Sequence, residues 1–320
     1  MIVSVNPVTF SDVQTAAQRI APYAHRTPVI TSASLDRAAG AKLFFKCENF
    51  QRVGAFKFRG ACNAIFSLSE SEARRGVLTH SSGNHGAAVA LNARLRGIPA
   101  IVVMPENSVA VKRAAVADYG ARIVSCDATL AARDAVSAKI LAETGATLIH
   151  SYDNDVIIAG QGTAALELMQ EVPQLDLVLA PVGGGGLLSG TALAVHGVSS
   201  KARIIAAEPA GADDAFRSLR DGRIHSQTDP QTIADGLRTA LSERTFAVIR
   251  EHVSEILLVE DEATINAMRY VWERMKIVIE ASAAVPVAAI LAGRVDVRNL
   301  RVGVILSGGN VDLDHLPWSA

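Results

Sequence analysis

Short apolar runs rich in β-branched residues alternate along this chain with longer alanine-rich stretches at helical spacing, and that alternation limits the folds open to it. Ala100-Ile101-Val102-Val103-Met104 and Arg122-Ile123-Val124-Ser125-Cys126 predict buried strands, with helices over 86–95 and 131–144. A second series follows, with strands over 175–181, 203–207 and 301–306 and helices over 187–196 and 264–275. Parallel neighbours need a long crossover, usually a helix, so the pattern predicts an α/β chain whose parallel sheets are covered on both faces. At 320 residues and 49% hydrophobic, the chain has material for one or two such domains. Neither a low-complexity linker nor a repeat of solenoid length interrupts it.

Charge narrows the partners. A formal net charge of −1 makes no field that would draw in nucleic acid or an acidic membrane surface, which leaves a small molecule. Cys47, Cys62 and Cys126 have no C-x-x-C spacing and are too few for a disulfide framework, so free thiols in a reducing compartment are expected. Residues 1–22 carry Asp12, Gln14 and Arg19 and lack an unbroken apolar core, so neither a signal peptide nor a membrane span is predicted. The expected location is the cytoplasm.

Chemistry concentrates at four places. Lys57 stands between two phenylalanines in Gly54-Ala55-Phe56-Lys57-Phe58-Arg59-Gly60 with no acidic residue beside it in the sequence. A lysine among aromatic rings loses hydration, which favours the neutral amine and lets it attack a carbonyl. The same heptapeptide also fits a lysine whose stem lies on apolar side chains while its charge reaches water. The strand-like run ending at Val182 leads into Gly183-Gly184-Gly185-Gly186, and Leu187-Leu188-Ser189-Gly190 opens a helix. Consecutive glycines let backbone N–H groups close around an anion at a helix N-terminus, so this loop predicts a phosphate cup. It lacks the Gly-Lys-Ser/Thr of a Walker loop, and Ser189 stands where the dinucleotide fingerprint needs its third glycine. Ser81-Ser82-Gly83-Asn84-His85-Gly86 offers hydroxyls, an amide and free N–H groups suited to a carboxylate, and Ser307-Gly308-Gly309-Asn310 follows a strand's C-terminal end, where open α/β sheets bind ligands. Taken singly, these last two clusters are equally ordinary turns.

Together and in this order, the four segments resemble the pyridoxal-phosphate enzymes of fold type II, specifically the serine/threonine dehydratase and serine racemase group, over nearly the whole chain from Ile20 on. The resemblance implies a tryptophan synthase β-like fold. Two parallel-sheet α/β domains would flank the active-site cleft, with residues 50–148 a small domain inserted into a large one of 1–49 and 149–320. It implies pyridoxal 5'-phosphate as cofactor, bonded to Lys57, packed on Phe56, hydrogen-bonded by Asn84 at the ring hydroxyl and by Ser307 at the pyridine nitrogen. Gly183, Gly184, Gly185, Gly186 and Leu187 would hold the phosphate. Lys57 would also move the α-proton. A neutral serine cannot keep the ring nitrogen protonated as a carboxylate would, which suits β-elimination better than transamination.

The resemblance further implies a divalent cation (Mg²⁺, Ca²⁺ or Mn²⁺) on Glu208, the Ala212 carbonyl and Asp214, an oxygen set that does not suit Zn²⁺. Without it, the same residues read as an acidic turn capping the helix from Ala215 to Leu219. Ser81, Ser82, Asn84 and His85 would receive the substrate, with Ser82 opposite Lys57 as the second catalytic group of racemases. Arg133 would meet the second carboxylate of a dicarboxylic substrate, although it also fits a surface arginine on a helix. The implied activity is a hydroxy-amino-acid dehydratase (ammonia-lyase) acting on L-serine, L-threonine or 3-hydroxyaspartate. A serine racemase with some eliminase activity is the alternative and a non-catalytic cofactor-binding protein a third. A homodimer is the expected assembly.

Overall fold

The computed structural model describes residues 7–81, 83–108 and 110–319. Among these residues ten strands form two sheets. The first takes β1 (Val29–Ile30), β2 (Lys42–Cys47), β7 (Leu177–Pro181), β8 (Arg203–Pro209), β9 (Glu255–Val259) and β10 (Arg301–Leu306) in the order β1-β2-β10-β7-β8-β9. The second takes β3 (Val77–His80), β4 (Ala100–Pro105), β5 (Arg122–Cys126) and β6 (Thr147–Leu148) in the order β5-β4-β3-β6. Every pairing is parallel except that of the two-residue edge strand β1 with β2. The expected strands over 122–126 and 301–306 appear with the expected bounds, and the others shift by one or two residues at an end.

Helices cover both sheets: α1 (Phe10–Ile20), α2 (Ala33–Ala39), α3 (Lys57–Ser67), α4 (Glu70–Arg75), α5 (Asn84–Arg96), α6 (Ala110–Asp118), α7 (Leu130–Thr144), α8 (Asp155–Glu171), α9 (Gly186–Val198), α10 (Asp214–Asp221), α11 (Glu243–His252), α12 (Asp261–Met275) and α13 (Ala281–Leu291). On one face of the six-stranded sheet α8 and α9 contribute Ile158, Leu168, Leu188 and Val195 to a core with Val178 and Ile305. The other face packs α12 and α13 against Leu179, Ile205 and Val304. Among the described residues no helix is long and apolar enough to cross a membrane. Cys47, Cys62 and Cys126 are free and buried, and burial pushes the thiols of Cys47 and Cys62 up to about 12.

The helix α8 is buried along nearly its whole length, as expected for one packed on several sides. It meets α3 at glycine on glycine. A Cβ on Gly160 would lie 2.7 Å from the Gly60 Cα and 2.9 Å from the Arg59 carbonyl oxygen, and one on Gly60 would strike Gln161 at 2.4 Å. The Gly60 N–H donates to Gln161 Oε1 across the same contact (3.1 Å). Adding one methyl there has nowhere to go, so Gly160→Ala is expected to lose about 1–3 kcal/mol of stability. Urea unfolding of the variant checks this; an unchanged midpoint would show that the two helices can part without cost.

Candidate active site

Residues 54–56 and 307–309 zip together although they lie near opposite ends of the sequence. The Phe56 N–H donates to the Ser307 carbonyl (3.0 Å), the Gly309 N–H donates to the Gly54 carbonyl (2.9 Å), and Ala55 and Gly308 bridge between them. This sets Lys57, the first residue of α3, at the C-terminal end of β10. Its Nζ donates to the Ser151 carbonyl at 2.9 Å and stands 5.1 Å from the centre of the Phe56 ring. Burial pushes the amine down to about 8, against a smaller upward pull from Glu280. The lysine thus has an acidic neighbour in space that the local sequence does not show.

Glu280 is the functional-site residue that sequence reasoning missed. It precedes α13, is 5% exposed, and accepts from Asn84 Nδ2 with both oxygens at 3.1 Å. Burial, with the charge of Asp235, pushes its carboxyl up to about 7. Asn310 Nδ2 donates to Asn84 Oδ1 (2.9 Å) and to the Val53 carbonyl (2.7 Å), so the Asn84 amide is oriented from both ends. The only sequence signal for Glu280 is a carboxylate standing before an alanine-rich apolar run. A cavity of about 810 Å³ adjoins, lined by Asn84, Lys112, Asp235, Glu280 and Asn310 but not by Lys57 or the glycine loop. Lys112 and Asp235 pair across it.

The four glycines fall between β7 and α9, as the strand-to-helix reading requires. Gly185 has φ +85°, a left-handed conformation that favours glycine. A Cβ on Gly184 would lie 2.4 Å from the Tyr152 ring, which lies directly against the loop. Among the described residues, none of the amides of residues 183–187 donates to a protein acceptor. A row of unpartnered amides at the start of a buried helix is the donor set that a phosphate dianion satisfies. Ser307, 2% exposed, follows β10 beside the zipper at the sheet's C-terminal edge. The sites are linked in a ring: the loop touches Tyr152, Ser151 holds Lys57, and Phe56 is pinned to Ser307.

Ser81 follows β3 and its hydroxyl accepts from the Gly83 N–H (3.2 Å); Ser82 lies outside the described residues. His85 is 2% exposed and its Nε2 lies 3.0 Å from the Ile149 carbonyl oxygen. Burial, then the charge of Lys57, pushes its imidazole down to about 3. Its ring therefore braces the 149–152 segment as a neutral group. His150 does the same from inside that segment, its Nδ1 accepting from the N–H groups of Tyr152 and Asp153 at 3.3 and 2.9 Å. Arg133 on α7 is near enough to His80 and Tyr152 for its charge to act on both, and its Nε is buried with no partner among the described residues.

At the expected metal ligands, Glu208 caps α10. Its Oε1 accepts from the Ala215 N–H (2.8 Å) and its Oε2 from the Phe216 N–H (2.7 Å). Asp214 Oδ1 accepts from Gln227 (3.2 Å), while its Oδ2 is buried and unpartnered. Burial, and then the charge of Asp214, raises the Glu208 carboxyl well above the usual range, and burial pushes Asp214 up to about 6. Ala212 is fully buried beside them. Among the described residues no three His, Cys, Asp or Glu side chains gather as a metal cluster, so any cation here must also use carbonyl and water oxygens.

Residues 20–308 match the family described as pyridoxal-phosphate dependent enzyme. The chain is 48% identical over 311 residues to the beta-hydroxyaspartate dehydratase of Paracoccus denitrificans, covering 97% of this chain and 99% of that one. It is also 48% identical over 313 residues to the serine racemase of Dictyostelium discoideum, covering 97% of each. The structure of maize serine racemase superposes with a TM-score of 0.95 at 46% identity, over 96% of this chain and 95% of the other.

The depressed lysine gives a pH-dependence of known sign. The folded chain binds fewer protons at Lys57 than the unfolded chain between about 8 and the ordinary 10.5, so its burial opposes folding most below pH 8 and less as pH rises through that window. Reductive alkylation by a small aldehyde, followed by peptide mass, is expected to show Lys57 reacting with a midpoint near pH 8. Surface lysines should follow at about 10.4. A Lys57 midpoint equal to theirs would mean that its amine stays hydrated.

Proposed function

The chain belongs to the pyridoxal-phosphate dependent enzyme family, and on that premise we propose that it is an ammonia-lyase that eliminates the β-hydroxyl of 3-hydroxyaspartate to give a 2-oxo acid and ammonia. L-Serine and L-threonine are the lesser substrates of this reading. The bound cofactor supplies an electron sink for bonds at the α-carbon of an amino acid. The free amides of Gly183, Gly184, Gly185, Gly186 and Leu187 suit its phosphate, Ser307 its pyridine nitrogen, Asn84 its ring hydroxyl, Phe56 its ring face and Lys57 its aldehyde carbon. Lys57, half unprotonated near pH 8, can take the α-proton, and the Ser151 carbonyl fixes where that amine points. Ser81 and the N–H groups opening α5 would receive the α-carboxylate.

Arg133 carries the choice of substrate. A buried guanidinium nitrogen without a partner costs free energy unless an anion meets it, and the hydroxymethyl of serine offers none. The β-carboxylate of 3-hydroxyaspartate does. Racemisation is the second reading, favoured by the serine racemase relatives, and it would place Ser82 on the face of the α-carbon opposite Lys57.

The same reading divides the chain into a small domain, 50–148, whose four-stranded sheet is set within a large domain of 1–49 and 149–320, so that closure of the cleft can exclude water. It includes a divalent cation at Glu208, Ala212 and Asp214, supported by the orphaned Asp214 Oδ2. It also includes a homodimer, in keeping with exposed Val278 and Leu313, and a cytoplasmic setting, in keeping with three free cysteines.

Two measurements test these points. With 2-oxo acid, ammonia and D-enantiomer scored separately, Arg133→Ala is expected to lower kcat/KM on 3-hydroxyaspartate by ~10–100-fold, the value of one charge-assisted contact, while leaving serine nearly unchanged. Equal losses would remove Arg133 from the choice of substrate, and dominant D-product from the wild type would replace the lyase reading with racemisation. Excess chelator is expected to lower activity and to lower Tm by roughly 5 °C, reversed by Mg²⁺, Ca²⁺ or Mn²⁺. Unchanged melting and activity would leave Glu208 as a helix cap alone.

A further inference from the structure

Arg59, two residues along α3 from Lys57, gathers with Glu48, Lys46 and Glu167, of which only Glu167 is partly exposed. Arg59, wholly buried, forks onto Glu48 through Nε to Oε2 (2.7 Å) and Nη2 to Oε1 (2.8 Å). It forks again onto Glu167 through Nη1 to Oε1 (2.8 Å) and Nη2 to Oε2 (2.9 Å). Lys46, also wholly buried, donates to Glu167 Oε2 and to the Thr27 carbonyl, both at 2.6 Å, and the Thr27 hydroxyl donates to Glu48 Oε1 (2.6 Å). Two cations face two carboxylates, so the cluster is formally neutral. Burial disfavours charge on Arg59, but Glu48 and Glu167 outweigh it and hold the guanidinium ionised.

The cluster joins three elements. Glu48 directly follows β2, Arg59 lies in the first turn of α3, and Glu167 lies on α8. Where α3 crosses α8, Gly60 meets Gly160 and the backbones come close. Beside the contact the Gly60 N–H donates to Gln161 Oε1 (3.1 Å) and Asn63 Nδ2 donates to the Val156 carbonyl (2.7 Å), both neutral bonds that the charged fork supplements. Buried ion pairs contribute little net stability compared with apolar side chains of equal volume, and their best-attested use is to fix register. The guanidinium suits this because its planar donors hold two carboxylates in fixed directions, which an ammonium cannot do.

We propose that Arg59 is a positioning residue whose double fork onto Glu48 and Glu167 sets the height and rotation of α3, and so holds the Lys57 amine at the Ser151 carbonyl. The inference rests on the reading of Lys57 as the amine that bonds the cofactor. A displacement of the reacting amine by ~1 Å costs about a hundredfold in rate even when binding is intact. Arg59→Lys keeps the charge and loses the fork.

The test uses the holoenzyme of the wild type and of Arg59→Lys, with Glu167→Gln as the near-isosteric second variant should the first fail to fold. Four readouts are taken: Tm, borohydride reduction with peptide mapping, the kcat and KM split, and visible circular dichroism per bound cofactor. The expected result is a folded variant with the cofactor still on Lys57, KM within about threefold, kcat lower by ~100-fold, and a weaker visible dichroic band. A folded variant with lower Tm but unchanged kcat and dichroism overturns the proposal, since a merely structural role predicts that pattern. Reduction that labels another lysine in the wild type overturns the reading of Lys57 instead, so the two failures are distinct.

Discussion

The antiparallel pairing of residues 54–56 with 307–309 is the contact from which the site is built. Through it the Phe56 N–H meets the Ser307 carbonyl, and α3 starts with its lysine at the end of β10. Backbone hydrogen bonds of this kind fix position within a few tenths of an ångström, whereas a long lysine side chain on its own samples many rotamers. The Ser151 carbonyl then holds the far end of that side chain. With backbone fixed at one end and amine at the other, the lysine is a strut rather than a tether.

Two kinds of buried charge surround it, with different consequences. At Glu280, Glu208 and Asp214 burial acts on carboxyl groups that lack a full cationic partner, and each is raised above its ordinary value. At Arg59 the pairing with Glu48 and Glu167 is bidentate, and Glu167 stays below its ordinary value despite its partial burial because Arg59 and Lys46 outweigh the loss of water. Incompletely paired acids therefore lie near the proposed ligands, while the paired charges of Arg59 lie among β2, α3 and α8. That division is what a binding site and its scaffold require.

The alternation of strands and helices was legible because it depends on local periodicity. The strand over 301–306 and the helix ending at Thr144 follow from their own residues. The glycine loop was legible for the same reason: its strand and its helix are adjacent in sequence. Glu280 and the Arg59 cluster were not, since each acts on a partner far along the chain, and nothing near Glu280 in sequence speaks of Asn84. Of the reading of 208–214 as a solvated helix cap, the cap is present at Glu208, but Glu208 and Asp214 are buried, and the orphaned oxygen of Asp214 is visible only in three dimensions.

The place of β10 in the six-stranded sheet has a consequence for synthesis. It lies between β2 and β7, so β2, made early, finds its parallel neighbour only when residues 301–306 leave the ribosome. Emerging chains generally fold as segments become available, N-terminal parts first. The four-stranded sheet, complete by Leu148, can assemble while the large sheet still lacks its central strand. The zipper to Phe56 then forms among the last contacts. A nascent or truncated chain thus carries Lys57 without its seat, and an aldehyde-bearing cofactor finds no finished pocket until residues 307–309 have been made.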